Sequence, residues 1–390
     1  MRKILFVAPH LYGSIRLLAD NVRYLDLSRF QVTILVLEPP LTLRDEFPEG
    51  VRIETIDDPA KVEPGGSAQQ AGYPTKRSSL GVWARRFVRI WREAGRHDLV
   101  VSWSELTPTY VTAVAAALAR KPVIGWVHIH LSRTFALRIR PGWSHRLAIR
   151  LCYPVLRRVV GCSRPVSVDL RSAFGLKNVT CISNTIDLER VRRLGTEEID
   201  PDLREFYSQG APVVINVAAL EHQKGQEVLL RAHANLLAKG VDHRLVLVGE
   251  GGRRDALCAL ACELGVSETV LFAGFRRNPY ALIAHASAMA LSSHMEGFAL
   301  VIAEALALGI PVVSTDCEAG PRELLKDGQL GLLVPVNDDH KLAEAMERVL
   351  SEAALRKQLA ESRHGCGHVD ASHSATEIES LFEQVLLESA

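Results

Sequence analysis

Nowhere in the 390 residues is there an apolar run long enough to cross a bilayer, which takes about 20 residues. The opening MRKILFVAPH has only a short apolar run after its charges, and no small-residue cleavage site follows. It is expected to be a buried first strand, which makes the expected location cytoplasmic. The seven cysteines (152, 162, 181, 258, 262, 317 and 366) are odd in number and include no Cys-x-x-Cys pair. A disulfide framework is thereby excluded, and a reducing compartment is expected. Cys258 and Cys262, spaced i, i+4 on an expected helix, suit neighbouring core positions better than metal ligands. No strand is followed by Gly-x-Gly-x-x-Gly, so a nicotinamide fingerprint is missing. There is no repeat of solenoid period. Acidic residues are also absent from one long stretch: none lies between Leu106 and Val168.

What is present fits a folded protein of two domains. Hydrophobic residues make up 47% and charged residues 23%, too apolar for disorder, and 390 residues exceed one ordinary domain. The net charge of +1 conceals an asymmetry. Residues 1–200 hold 30 Lys/Arg against 19 Asp/Glu (net +11), and residues 201–390 hold 16 against 26 (net −10). Such a split suggests different partners for the two halves, two unrelated surfaces being the plainer explanation.

Short runs rich in Val, Ile and Leu at 3–8, 31–37, 98–102, 122–128 and 178–183 read as strands. Amphipathic stretches at 15–27, 106–119 and 144–158 lie between them. From Pro212 the alternation restarts, with strands expected at 212–218, 243–248, 269–274, 286–292 and 310–315. Helices are expected at 225–239, 252–265, 298–309 and 338–350. Continuous apolar strands alternating with helices predict parallel sheets covered on both faces. The expected fold is α/β, with two Rossmann-like doubly wound domains facing a central cleft. Their expected bounds are 1–195 and 196–365, with a C-terminal helix at 366–390 packing back toward the first domain. Residues 62–79, rich in Gly, Ser and Gln, read as a loop.

In open α/β sheets ligands sit outside the carboxyl ends of the strands, so residues that follow strands carry the most information. In HMEGFALVIAEALALGIPVVST, Glu296 and Gly297 form a turn after a strand, and a helix then runs from about Phe298 to Leu308. The helix N-terminus offers free N–H groups to an anionic or polyhydroxylated ligand. Glu296 and Glu304 would lie about 12 Å apart if both were helical, too far for the paired carboxylates of a retaining glycosidase. They suit two ends of one long ligand. The plainer reading is a solvated Glu296 and a surface Glu304, but Glu304 sits among Ala303, Ala305, Leu306 and Leu308, an apolar setting where an unpaired carboxylate is costly.

In VINVAALEHQKGQEVLLRAHANLL, Lys224-Gly225 opens a helix after a strand, a place for a phosphate clamp, although an isolated loop lysine is more often simply solvated. Gly13 follows the first strand, where it could admit a phosphate or merely make the turn. His128 and His130 fall on one face at a strand end, without carboxylate or cysteine partners nearby in sequence to suggest a metal. His294 reads as part of the loop.

Taken together, these residues resemble the retaining glycosyltransferases of the GT-B fold, family 4, also called group 1. The resemblance covers nearly the whole chain and is densest from 213 to 336. EGFALVIAE matches the family's Glu-x7-Glu element, HQKG its lysine loop, and VLVGEG (246–251) and FAGF (272–275) the intervening strand ends. NTIDLERV at 184–191 is similar to the stretch where the chain crosses between domains, and Val127-His128 to a cleft histidine. Two positions depart from the pattern: Ala218 and Ala219 stand where Gly-Arg is usual, and the amino-terminal glycine pair is reduced to Gly13.

The resemblance implies an enzyme moving a hexose or N-acetylhexosamine from a UDP- or GDP-linked donor to an acceptor glycan, free or lipid-linked, with retention. No cofactor besides this co-substrate and no nucleic acid partner is implied. Lys224 would hold the donor diphosphate, with Gly13 approaching it. Glu304 would bind the ribose hydroxyls, and Glu296 with the backbone of Gly297, Phe298, Ala299 and Leu300 would hold the sugar and phosphates. His128 would face the sugar and Arg276 the base; Glu296, His128 and Lys224 form the expected catalytic set. No metal is expected, the sequence being read as containing no Asp-x-Asp pair, so that Lys224 and helix N-termini would have to replace one. A non-catalytic nucleotide-sugar-binding scaffold, or a sugar-nucleotide epimerase or phosphorylase on the same architecture, stays open as an alternative.

The acid-free stretch interleaves arginines, among them Arg138, Arg140, Arg146 and Arg150, with Phe135, Leu137, Trp143, Leu147, Leu151 and Tyr153. A second basic stretch at 76–96 adds Trp83 and Trp91. Both read as interfacial segments that dock on the anionic inner face of a membrane, the competing reading being domain core with a solvated rim.

Overall fold

The computed structural model describes residues 1–9, 14–38, 44–56, 80–136, 142–361 and 365–389. Gly13, Leu137, Arg138, Arg140 and the expected loop at 62–79 lie outside the described residues. The chain divides into two compact units. Among the described residues, unit one comprises the chain up to Thr185 together with Asp370 onward, and unit two runs from Ile186 to Val369. The expected junction at 195/196 falls inside unit two, at the end of the helix Leu188–Gly195.

Unit one holds β1 (Arg2–Ala8), β2 (Phe30–Val36), β3 (Arg52–Thr55), β4 (Leu99–Ser102), β5 (Val123–Val127), β6 (Arg158–Gly161) and β7 (Val179–Cys181). They form one sheet in the order β3-β2-β1-β4-β5-β6-β7, every pair parallel. Unit two holds β8 (Val213–Val217), β9 (Arg244–Val248), β10 (Val270–Gly274), β11 (Ala288–Leu291), β12 (Val312–Thr315) and β13 (Leu332–Val334), ordered β10-β9-β8-β11-β12-β13 and again all parallel. In each sheet the order reverses beside the first strand, between β1 and β4 and between β8 and β11. Loops leaving such neighbours splay to opposite faces and open a crevice at their carboxyl ends.

Three strands escape the sequence reading: β3, β6 and β13. The amphipathic stretch read at 144–158 is the helix Gly142–Cys152, a single tight turn at Tyr153–Val155, and then the start of β6. Pro154 lacks the N–H an extended helix would need, and the buried pair Val159 and Val160 enters the sheet instead.

The helix Ala371–Leu387 belongs to unit one and packs along the helix Ser14–Tyr24. Its Phe382 is fully buried, with its ring edge-on to Phe6 and Phe30 at 6.1 and 5.9 Å between centroids. Polar contacts fix the register: the Ser374 hydroxyl donates to Asn21 Oδ1 at 3.0 Å, and Arg29 donates to Glu379 at 2.8 Å. The last helix is therefore a structural part of the first unit. Phe382→Ala is expected to cost about 3–5 kcal/mol, the usual cost of emptying a buried phenylalanine site. Chemical denaturation would show it, and a loss under 1 kcal/mol would mean that the helix is dispensable.

Candidate functional site

The crevice of unit two lies outside the ends of β8 and β11, and two loops meet there. After β8 the chain makes a tight turn at His222–Lys224, passes Gly225 and enters the helix Gln226–Ala238. After β11 it runs through Ser292–Ala299 into the helix Leu300–Ala307. The loops are stitched together through backbone carbonyls: His294 N–H donates to Gln223 O at 2.9 Å, the Gln223 side chain to Met295 O at 3.0 Å, and the Ser292 hydroxyl to Lys224 O at 3.0 Å. Gly225 has φ +60°, and a Cβ there would sit 2.3 Å from Ser292 O. Only glycine lets the two loops close to this distance.

That closure delivers one contact. The Lys224 ammonium donates to both oxygens of Glu296, at 2.7 and 2.8 Å, and the Ser293 hydroxyl adds a third bond to Oε1 at 2.6 Å. Glu296 is only 5% exposed, so its charge depends on these donors. The two residues expected to serve the donor are thus each other's partners. An ammonium has three N–H donors; two are spent on Glu296, which leaves one for an anion in front of it. Cys317 lies in the field of the pair: burial, reinforced by Glu296, pushes its thiol up to about 12, so it stays protonated.

Only Glu304 of the two glutamates is helical, since the helix begins at Leu300 rather than at Phe298. The Tyr280 hydroxyl donates to its Oε1 at 3.4 Å. Ala299 holds a left-handed conformation (φ 61°, ψ 57°) at the helix start and supplies no side-chain cap, so the first N–H groups of the helix are not taken up by a capping side chain. Gly297, Phe298 and Ala299 are buried in the same turn.

Arg276 is engaged otherwise than expected. Its guanidinium donates to Asp200 at 3.0 Å and to both oxygens of Asp202 at 3.1 and 2.7 Å, and its Nε to Ala273 O at 2.9 Å. Any contact to a base would compete with two carboxylates. These belong to an Asp-x-Asp, Asp200-Pro201-Asp202, which the sequence reading overlooked. Its presence corrects the stated ground for expecting no metal, although both carboxylates are committed to an arginine.

In unit one, His128 follows β5. Its two ring nitrogens are buried without a hydrogen-bond partner among the described residues, and its ring lies 4.8 Å from that of Trp103. Burial pushes the imidazole down to about 3, so it is neutral at pH 7 and able to donate or accept. Its backbone N–H points at Glu105 Oε2, 3.4 Å away. Glu105, buried after β4 at the switch point, was missed in the sequence, as was Ser293; a lone acid or hydroxyl after a strand carries too little pattern to stand out. Leu106 next to it has φ 60° and ψ −130°, a strained conformation at a strand end. His130 points at Asp169 (3.4 Å) and His294 at Glu227 (3.5 Å), so neither is solitary.

Two family models match the chain: "Glycosyltransferase Family 4" over residues 13–190 and "Glycosyl transferases group 1" over 202–364. A Campylobacter jejuni N-acetylgalactosamine-N,N'-diacetylbacillosaminyl-diphospho-undecaprenol 4-alpha-N-acetylgalactosaminyltransferase is 34% identical over 215 residues, covering 55% of this chain and 56% of that protein. The lipopolysaccharide core biosynthesis glycosyltransferase LpsE of Rhizobium meliloti is 35% identical over 216 residues, 55% of this chain and 60% of that protein. The aligned part thus spans little more than half the length of either relative. Among solved structures, Anabaena Alr3699/HepE in complex with UDP and glucose superposes with a TM-score of 0.77 at 21% identity, covering 98% of this chain and 100% of that one. Sucrose-phosphate synthase from Thermosynechococcus elongatus gives 0.79 at 16% identity, covering 100% of both. These likenesses establish the two-domain fold.

The Lys224–Glu296 pair has a measurable consequence. Lys224→Met strands a buried carboxylate and is expected to cost about 2–3 kcal/mol, below the 3–5 of a fully buried pair because Ser293 still donates. Adding Glu296→Gln should recover most of that loss. Urea denaturation of the four proteins of this cycle measures the coupling; a Lys224→Met protein as stable as the parent would show that the pair does not hold the loops.

Proposed function

Since the chain is built of a family 4 and a group 1 domain and belongs to the GT-B glycosyltransferases, we propose that it transfers a hexose or N-acetylhexosamine from a UDP- or GDP-linked donor to an acceptor glycan with retention of configuration. The setting that best fits is cell-surface polysaccharide or glycolipid assembly, in which the two curated relatives are named. One observation carries the reading: the Lys224–Glu296 pair at the switch point of unit two, with one ammonium proton left over.

In this mechanism the donor diphosphate accepts a hydrogen bond from the remaining N–H of Lys224 and lies against the start of the helix Leu300–Ala307. Negative charge grows on the diphosphate as the sugar–oxygen bond lengthens. A fixed ammonium and aligned N–H groups stabilise it without reorganising. Glu296, held by Lys224 and Ser293, is set to accept from a sugar hydroxyl. Glu304, steadied by Tyr280, accepts from the ribose. No metal is assigned to the diphosphate, and the neutral imidazole of His128 is the group unit one offers to a sugar hydroxyl. Glu304→Gln should raise donor KM at least tenfold with kcat little changed, and Glu296→Ala should chiefly lower kcat. Turnover of UDP- and GDP-sugars with soluble and lipid-linked acceptors should persist in EDTA and yield the retained anomer by NMR. Donor binding without turnover on any acceptor would favour the scaffold reading, which the alanines at 218 and 219 recommend.

The acceptor side of the proposal includes peripheral contact with an anionic membrane. No helix among the described residues is long and apolar enough to cross one. The helix Gly142–Cys152 nevertheless shows Trp143, Leu147 and Leu151 at 79, 53 and 67% exposure, one turn apart on one face, with Arg146 and Arg150 exposed beside them. Earlier in the chain, Val88 and Trp91 of the helix Leu80–Gly95 and Val114 and Leu118 of the helix Thr107–Leu118 are also exposed. Phe135 and Tyr153, by contrast, are core. The stripe is therefore split between packing and surface, and the surface part has the composition of an interfacial helix. Each basic residue near an anionic leaflet adds about 1 kcal/mol. Sedimentation with phosphatidylglycerol vesicles should show salt-sensitive binding, reduced severalfold by Trp143→Ser with Leu151→Ser. Equal binding to neutral vesicles, or none to either, would remove the membrane from the proposal.

A further inference from the structure

His222, Glu227 and His294 converge where the two loops that hold Lys224 and Glu296 meet. Their ligand atoms lie within 4.8 Å of one another, and His294 Nε2 is 3.5 Å from Glu227 Oε1. The His222 and His294 rings face each other at 5.3 Å between centroids. Each comes from a different piece of chain: His222 from the tight turn after β8, Glu227 from the first turn of the helix Gln226–Ala238, His294 from the loop after β11. A second observation is independent of this convergence. Glu227 Oε2 and His294 Nδ1 are buried and have no hydrogen-bond partner among the described residues. A contact of 3.5 Å between an imidazole and a carboxylate, each with a second polar atom unsatisfied, is a poor end in itself.

We propose that these three side chains form a binding site for a zinc-class divalent transition metal, which fastens the Lys224 turn to the Glu296 loop. Two imidazoles and one carboxylate, with a fourth position open to water, are a familiar zinc donor set. Imidazole ligation selects Zn2+, Co2+ or Ni2+ over Mg2+, whose site would need oxygen donors and octahedral geometry. Tetrahedral bonds of about 2.0–2.1 Å put ligand atoms roughly 3.3 Å apart. The ligand atoms therefore have to close by up to about 1.5 Å, and the exposed place of the His222 ring permits that. The Glu227 carboxylate already faces the His294 ring, at 3.5 Å. Arg253 also faces Glu227, with a weaker pull, and Lys224 lies two residues from His222; both cations temper the affinity. The Glu296 oxygens bond Lys224 and Ser293 rather than any of these three side chains, so the proposed site concerns the loops and not the transfer step.

Titration of the full-length protein, first stripped with EDTA and dialysed, with Co2+ should give one bound equivalent with the intense visible absorption of a tetrahedral ion. Zn2+ should displace it and raise Tm by about 5 °C at a hundredfold excess over its dissociation constant. His222→Ala, at an exposed position that the fold does not need, should weaken both at least tenfold, as should His294→Ala. A Cys258→Ser, Cys262→Ser protein should bind as the parent does, which separates this site from the two cysteines on the helix Arg254–Glu263. Absence of Co2+ binding, an octahedral spectrum, or undiminished binding in His222→Ala would overturn the proposal. Mg2+ should neither bind nor raise Tm, and a shift with Mg2+ equal to that with Zn2+ would count against it as well.

Discussion

A buried carboxylate cannot stand alone, and in unit two that constraint organises everything around Glu296. Its charge is met by the Lys224 ammonium through two bonds and by Ser293 through a third. To bring Lys224 there, the turn after β8 has to touch the loop after β11, which only strands adjacent in the sheet allow; β8 and β11 are neighbours because the strand order reverses between them. To touch at all, the loops need glycine at 225, where any Cβ would collide with the Ser292 carbonyl. The chain of causes runs from sheet order to loop contact to ion pair. It ends in a fixed ammonium with a proton to spare, at the place where an α/β sheet offers its ligand crevice.

The fold was legible because parallel strands buried on both faces leave continuous apolar runs. β1, β2 and β8 to β12 all carry that signature and were placed within a few residues. β6 did not stand out, since its RVVG follows directly on a helix of the same apolar content and only Pro154 marks the break. β3 and β13 are edge strands only half-buried, so their residues alternate weakly. The C-terminal helix has an ordinary amphipathic pattern. What assigns it to unit one is Phe382 lodged against Phe6 and Phe30, a contact across more than 350 residues that no local pattern encodes.

The site was legible where spacing carried it. Glu296, Glu304 and Lys224 sit in motifs long enough to be distinctive. The pairing of Lys224 with Glu296 was not visible, because the two belong to loops 72 residues apart that meet only through the sheet. Arg276 shows a different limit: the resemblance places it near the base, and its ion pairs with Asp200 and Asp202 could not be read from the sequence. The acid-free stretch misled in half. Its periodicity is the same for a face turned inward and one turned outward, and the structure sorts Phe135, Ile149 and Tyr153 to the core while leaving Trp143, Leu147 and Leu151 in solvent.

The charge asymmetry of the chain then takes on a different meaning from the one net charge suggests. The acidic half, net −10 over residues 201–390, is the one proposed to hold an anionic donor. Net charge is a poor guide at that range. At physiological salt, exposed charges more than about 8 Å away are largely screened. Much of unit two's acidic surface is also already paired, as Asp202 is with Arg276, Glu344 with Lys341 and Glu352 with Arg348. At the crevice what counts is an ammonium in contact and an uncapped helix start, both fixed before the ligand arrives. The reverse holds in unit one, where Arg146 and Arg150 are exposed beside exposed apolar side chains, and a broad anionic surface of the kind proposed would feel many cations together. On that proposal a small anion is held by one well-placed cation in an acidic half, and an extended one by many cations in a basic half.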